Sequence, residues 1–132
     1  MFHNRKVIVM IYKAYWQEVN KVLGYVMDTQ AEAIEKAARL VCDSMAADGM
    51  LYVFGCGHSH MIGEDLFYRA GGNAAVCAML DSDLMLHMGA AKSSVYKKMT
   101  GLAQPVFERY GLTQKDVLLV VSTSGINSVP VE

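Results

Sequence analysis

Two short segments carry the residue types that could do chemistry. The first is Gly55-Cys56-Gly57-His58-Ser59-His60, and the second is Ser122-Thr123-Ser124-Gly125. Each follows directly on a short, continuously apolar run, Met50 to Phe54 and Val117 to Val121. Small, hydroxyl-bearing loops that lead from a strand into a helix offer backbone N–H groups and hydroxyls to an anion, and the helix dipole adds to the attraction. Gly57, Ser59, Ser122, Thr123 and Ser124 are therefore the expected partners of a phosphate. Hydrogen bonds rather than ion pairs would hold it, since neither loop carries Lys or Arg. Either loop alone could be a plain Gly/Ser turn. The anion reading rests on finding both at equivalent strand ends.

The same residues invite other readings. Gly55-x-Gly57 follows a strand-like run and opens a helix, as a dinucleotide fingerprint does, but the third glycine should fall at position 60, where His60 stands. A Walker loop is excluded because no Gly-Lys-Ser/Thr sequence occurs in the chain. No cofactor is expected. Cys56, His58 and His60 could face a metal ion, yet three ligands at every second residue are unusual for structural zinc, and no second cluster completes the set. No metal is expected on that ground, with a catalytic site holding an open position as the alternative. His87, beyond Asp81-Ser82-Asp83, could reach the same pocket or lie on the surface.

Loops far apart in sequence need a sheet to bring them together. Continuous rather than alternating apolarity at 50–54, 74–80 and 117–121 fits strands covered on both faces, as in a parallel sheet. Between them, 61–70 reads as a helix stopped by Gly71-Gly72. A longer helical connection is broken by Gly101 and Pro105 and ended by Gly111. Strand, helix, strand, helix, strand is the order of a doubly wound α/β fold, in which ligands collect outside the carboxyl ends of the strands. Ahead of the first strand, Ile8, Ile11, Tyr12, Tyr15, Val19, Val22, Leu23 and Val26 form one helical stripe. Thr29-x-x-Glu32 then offers a capping box for a second helix, with Ile34, Val41 and Met45 on its apolar side and Gly49 placed to end it.

Composition narrows the function classes. The 132 residues carry 12 basic and 13 acidic side chains, so no basic excess supports nucleic-acid binding. Hydrophobic residues make up 53% and charged residues 19%, the latter below the roughly 25% usual for soluble domains, which points to a surface that pairs with another subunit. Lys13, Gln17, Glu18, Asn20 and Lys21 interrupt the apolar stretch near the start, so no membrane span of about 20 apolar residues is expected. Three cysteines, an odd count without a disulfide-like rhythm, suggest a reducing compartment, with the cytoplasm as the default.

The segment Phe54 to His60, with Glu64-Asp65-Leu66-Phe67-Tyr68-Arg69-Ala70-Gly71-Gly72, and the segment Val121 to Glu132 resemble the sugar isomerase (SIS) domain family. The similarity runs from about the second helix to the last residue. It is closest to uncharacterised bacterial SIS proteins often labelled as phosphoheptose isomerases. The resemblance implies a three-layer αβα sandwich with a parallel sheet of flavodoxin-like topology, assembled as a dimer or tetramer, that binds phosphorylated sugars. It makes Ser59 the hydroxyl of the first loop and Ser122, Thr123 and Ser124 the phosphate cradle. Asn127 falls where related domains often have a phosphate-touching Ser or Thr, and its amide can donate in their place.

Aldose–ketose isomerisation through an enediol needs a base near the sugar carbonyl and an acid for its oxygen, and His58, His60 and Glu64 are the local candidates. Where phosphoheptose isomerases have a glutamate farther along the helix, this chain has Arg69. The histidine that those enzymes draw from the second half of the domain is not in this chain. A phosphosugar sensor with the same anchor and no catalysis is the competing reading. The expected division is an N-terminal helix over 1–27 and the phosphosugar-binding domain over 28–132. In the resembled family the strand bearing the second loop lies mid-sheet, so further strands are expected beyond Glu132.

Overall fold

The structure, a computed structural model, describes residues 3–132, with side chains from Met10 onward; Ile8 falls outside the described side chains. The chain divides into two units, Met1–Arg39 and Leu40–Glu132.

The first unit is the greater part of a single helix, α1 (His3–Ala46). The break expected at Thr29 does not occur. A capping hydroxyl must reach forward to a backbone N–H, whereas the Thr29 hydroxyl donates backwards to the Tyr25 carbonyl oxygen, 2.7 Å away, as a helix-interior threonine does. No proline interrupts the segment, and Glu18–Lys21 and Glu35–Arg39 form ion pairs one turn apart on its surface. The expected stripe is exposed at Ile11, Tyr12, Tyr15, Val22 and Leu23. Among the described residues, no helix is long and apolar enough to cross a membrane.

In the second unit, Asp48 turns the chain with φ +60°, and the Gly49 N–H donates back to the Ser44 carbonyl at 2.8 Å. Three parallel strands follow, β1 (Leu51–Gly55), β2 (Val76–Met79) and β3 (Val117–Val121), in the order β2-β1-β3. The fold is α/β, as expected. β3 has the residues expected for it, and β2 is shorter than the apolar run that announces it.

Helices lie on both faces of the sheet. A 3₁₀ turn (Gly57–His60) and α2 (Met61–Leu66) follow β1, and Gly63 brings α2 close enough for an added Cβ to sit 3.3 Å from the Val53 carbonyl and 3.4 Å from Ala78 Cβ. On the other face, Tyr52, Phe54 and Met79 pack with Leu84, with Ala103 and Val106 of α4 (Ala103–Glu108), and with Val129 of α5 (Ser128–Val131). The Phe54 and Phe107 rings meet edge to face at 4.9 Å. The helix α3 (Ala90–Tyr96) precedes α4. Pro105 is tolerated because it sits in the first turn of α4, where N–H groups lack intrahelical partners. The helix expected over 61–70 stops at Leu66, since Phe67 is extended and Tyr68 has φ +53°. β3 is an edge strand: Leu118, Leu119 and Val120 are 37%, 41% and 40% exposed, although their apolarity suggests cover on both faces.

Candidate functional site

The order β2-β1-β3 makes the chain leave β1 toward one side of the sheet and return on the other, so β1 and β3 flank the switch point. Their register pairs Gly55 with Val121, which sets the two hydroxyl-bearing loops side by side. Gly55 has no room for a side chain: an added Cβ would lie 2.6 Å from the Ser59 carbonyl carbon and oxygen. Gly57 serves a different need, holding φ +59° so that the loop can turn into the 3₁₀ segment. Its N–H donates to the Leu84 carbonyl at 2.8 Å, and the buried Ser93 hydroxyl donates to the same oxygen at 2.7 Å. One carbonyl thus ties the first loop to α3.

Between the loops lies a cavity of about 400 Å³. Gly57, His58 and Ser59 line it from the first loop, Ser122, Thr123, Ser124 and Asn127 from the second. Within the second loop, the Gly125 N–H donates to the Ser122 hydroxyl at 3.1 Å, and the Asn127 amide donates to the Ser124 hydroxyl at 3.0 Å. All six expected phosphate partners therefore converge on one space.

α3 adds what the loops lack. Ser93, Ser94 and Lys97 also line the cavity, and no carboxylate does. Among the described residues, the Lys97 ammonium has no ion-pair partner, and its backbone is held by the Val129 N–H donating to the Lys97 carbonyl at 3.1 Å. A cation therefore borders the cavity from the end of α3, outside both loops, where the loops themselves offer only neutral groups. Nothing local in the sequence marks Lys97, because its place depends on how α3 docks against the 3₁₀ turn and α5. Cys56 also borders the cavity, where burial pushes its thiol up to about 11; nearby Lys97 opposes that and Asp81 adds to it. Such a thiol is a poor nucleophile at neutral pH.

The three expected acid–base residues separate. His58 is exposed at the cavity, whereas His60 and Glu64 are not among its lining residues. His60 is buried and its Nε2 lies 3.2 Å from Glu64 Oε1, while its ring meets that of His87 edge to face at 5.3 Å. Arg69 pairs with Asp65 in an exposed ion pair, and Glu132 accepts hydrogen bonds from the N–H groups of Gly101 and Ala103 at the start of α4.

The fold and cleft define a doubly wound α/β domain with a hydroxyl-lined, carboxylate-free cavity at its switch point. Residues 14–132 match the SIS domain family, and the chain belongs to it. It is 47% identical over 119 residues to a UPF0309 protein of Caldanaerobacter subterraneus subsp. tengcongensis, covering 89% of this chain and 48% of that protein. UPF0309 proteins of Halalkalibacterium halodurans and Brucella ovis are each 44% identical over 118 residues, covering 89% of this chain and 49% of theirs. The chain spans about half the length of these curated relatives. They carry the UPF0309 name rather than that of phosphoheptose isomerases.

Proposed function

We propose that this chain binds a phosphorylated sugar, with the phosphate held between the loops after β1 and β3. One observation carries the reading: the cavity there is lined by the hydroxyl-bearing Ser59, Ser94, Ser122, Thr123 and Ser124 together with Lys97, and by no carboxylate. Hydrogen bonds from neutral donors to an ionised oxygen are stronger than neutral ones, and an unpaired ammonium adds charge where none opposes it. Membership of the SIS domain family supports the same ligand class. Gly57 and Asn127 complete the anchor. We assign the binding role to 28–132, a stretch that begins inside the continuous helix α1.

The reaction that fits is aldose–ketose isomerisation, with His58 as the acid–base group at the cavity and His60 and Glu64 behind it. A non-catalytic phosphosugar sensor is the second reading, favoured by His58 being the one expected acid–base residue that lines the cavity. The two separate in a single assay. Incubation in deuterated water with a panel of sugar phosphates gives exchange at the carbon next to the carbonyl for an isomerase, while binding without exchange sinks the enzyme reading. Absence of any phosphate-dependent binding sinks both.

Self-association into a dimer or tetramer is part of the proposal, supported by the exposed apolar residues of β3 and α1. Light scattering that returns the monomer mass at micromolar concentration would count against it. The three cysteines, all free, fit a reducing compartment, and we place the protein in the cytoplasm.

A further inference from the structure

We propose that His60, Glu64 and His87 form a binding site for a divalent transition-metal ion of the zinc type, separate from the phosphate anchor. Two observations carry it independently. The first is proximity: one ligand atom from each of the three side chains lies within 4.8 Å of the others. Tetrahedral zinc with bonds of about 2.0–2.2 Å needs ligand atoms about 3.3–3.5 Å apart. The His60 Nε2 to Glu64 Oε1 distance of 3.2 Å is close to that already, and the exposed His87 side chain is free to close the rest.

The second observation is the state of the His60 ring. His60 is 2% exposed, and its Nδ1 contacts the Gly57 carbonyl oxygen. A carbonyl only accepts, so Nδ1 carries the proton and donates it there, and Nε2 of the neutral ring bears the lone pair. That buried Nε2 has no hydrogen-bond partner, although it faces the Glu64 carboxylate. Two electron-pair donors facing each other without an aligned hydrogen repel, and a metal ion bound by both relieves that repulsion. A backbone carbonyl fixing the tautomer of an imidazole whose other nitrogen is free is the arrangement that orients histidine ligands toward metals.

Two imidazoles and one carboxylate suit zinc and its first-row neighbours rather than magnesium or calcium, which favour all-oxygen sites. Three protein ligands leave a fourth position open on the exposed side of His87, where water would complete the shell. The 3₁₀ turn accounts for the placement: it points His58 and Ser59 to the cavity and His60 away from it, toward α2 and the loop after β2. This inference does not rest on the phosphosugar reading, and either can fail alone.

The test uses the full chain, stripped with EDTA and dialysed, then titrated with Co2+ and Zn2+ alone. One equivalent of Co2+ should bind with a visible d–d spectrum, and Zn2+ should displace it. His87→Ala and Glu64→Gln, both at accessible positions, should each weaken Zn2+ binding by about tenfold or more, and His60→Ala by about a hundredfold. His60→Ala removes a buried side chain, so its folding is checked by circular dichroism. The other two variants decide the matter if it does not fold. No stoichiometric binding by the wild-type chain, or affinities unchanged in both His87→Ala and Glu64→Gln, would overturn the site.

Discussion

Replacing Lys97 by Met tests the anion cleft at its least redundant point. Among the described residues Lys97 is the sole Lys or Arg lining the cavity, whereas five hydroxyl-bearing residues, Ser59, Ser94, Ser122, Thr123 and Ser124, are available for the remaining contacts. A hydrogen bond involving a charged group contributes about 1.5–3 kcal/mol, which corresponds to a roughly 10- to 150-fold rise in Kd for a sugar phosphate. The fold should tolerate the change. The Lys97 carbonyl still accepts from the Val129 N–H at 3.1 Å, and no ion pair among the described residues is lost, so stability should stay within about 0.5 kcal/mol. Isothermal titration of wild-type, Lys97→Met and Lys97→Arg proteins with hexose and heptose phosphates and with inorganic phosphate reads the effect. Lys97→Arg should stay within a few-fold of wild type, and raising the salt should weaken wild-type binding more than that of Lys97→Met. A Lys97→Met affinity within twofold of wild type for a sugar phosphate that the wild type binds would refute the charge assignment.

Further expectations follow from the same geometry. Ser122→Ala with Ser124→Ala should weaken sugar-phosphate binding by about 1.5–3 kcal/mol for each lost bond to a charged oxygen, less any coupling between the neighbours; titration showing unchanged affinity removes the cradle. Gly55→Ala forces a Cβ to within 2.6 Å of the Ser59 backbone, so a loss of about 1–3 kcal/mol is expected in urea melts, and a neutral result would mean that the turn yields freely. Asp116 is held below its usual 3.8 by the Thr113 and Met50 N–H groups and the Thr113 hydroxyl. Its stabilisation should therefore be fully present above about pH 4 and fade as the pH falls through the lowered value. Asp116→Asn should melt below wild type at pH 7, with the gap closing under acid, and a gap independent of pH contradicts this. Exposed Cys42 should react with iodoacetamide at pH 8 well before Cys56, whose thiol sits at about 11, as peptide mass spectrometry would show.

Wherever local composition decides an outcome, the one-dimensional pattern is enough. Val117 to Val121 is apolar and β-branched enough to read as a strand by itself, and the glycines and hydroxyls after β1 and β3 announce anion loops. Local signals fail where two of them compete. Thr29-x-x-Glu32 satisfies a capping rule, but no proline breaks the segment on either side, and inside the continuous helix the Thr29 hydroxyl bonds back to Tyr25 instead. Phe67 to Ala70 continues the helical pattern expected over 61–70, yet the chain turns at Tyr68.

The adjacency of the two loops is a tertiary fact. It follows from the strand order and from Gly55 pairing with Val121 half the chain away, and no local propensity encodes that pairing. Lys97 and His87 belong to the same category. Each lies on a connection whose own pattern says only helix or loop, and each acquires a partner through packing: Lys97 when α3 docks beside the phosphate loops, His87 when the chain after β2 folds over His60. Side-chain type sets what a residue can do, and it is written in the sequence. Which groups share one polar cavity depends on the crossovers that return the chain to the same end of the sheet, and only the folded molecule decides that.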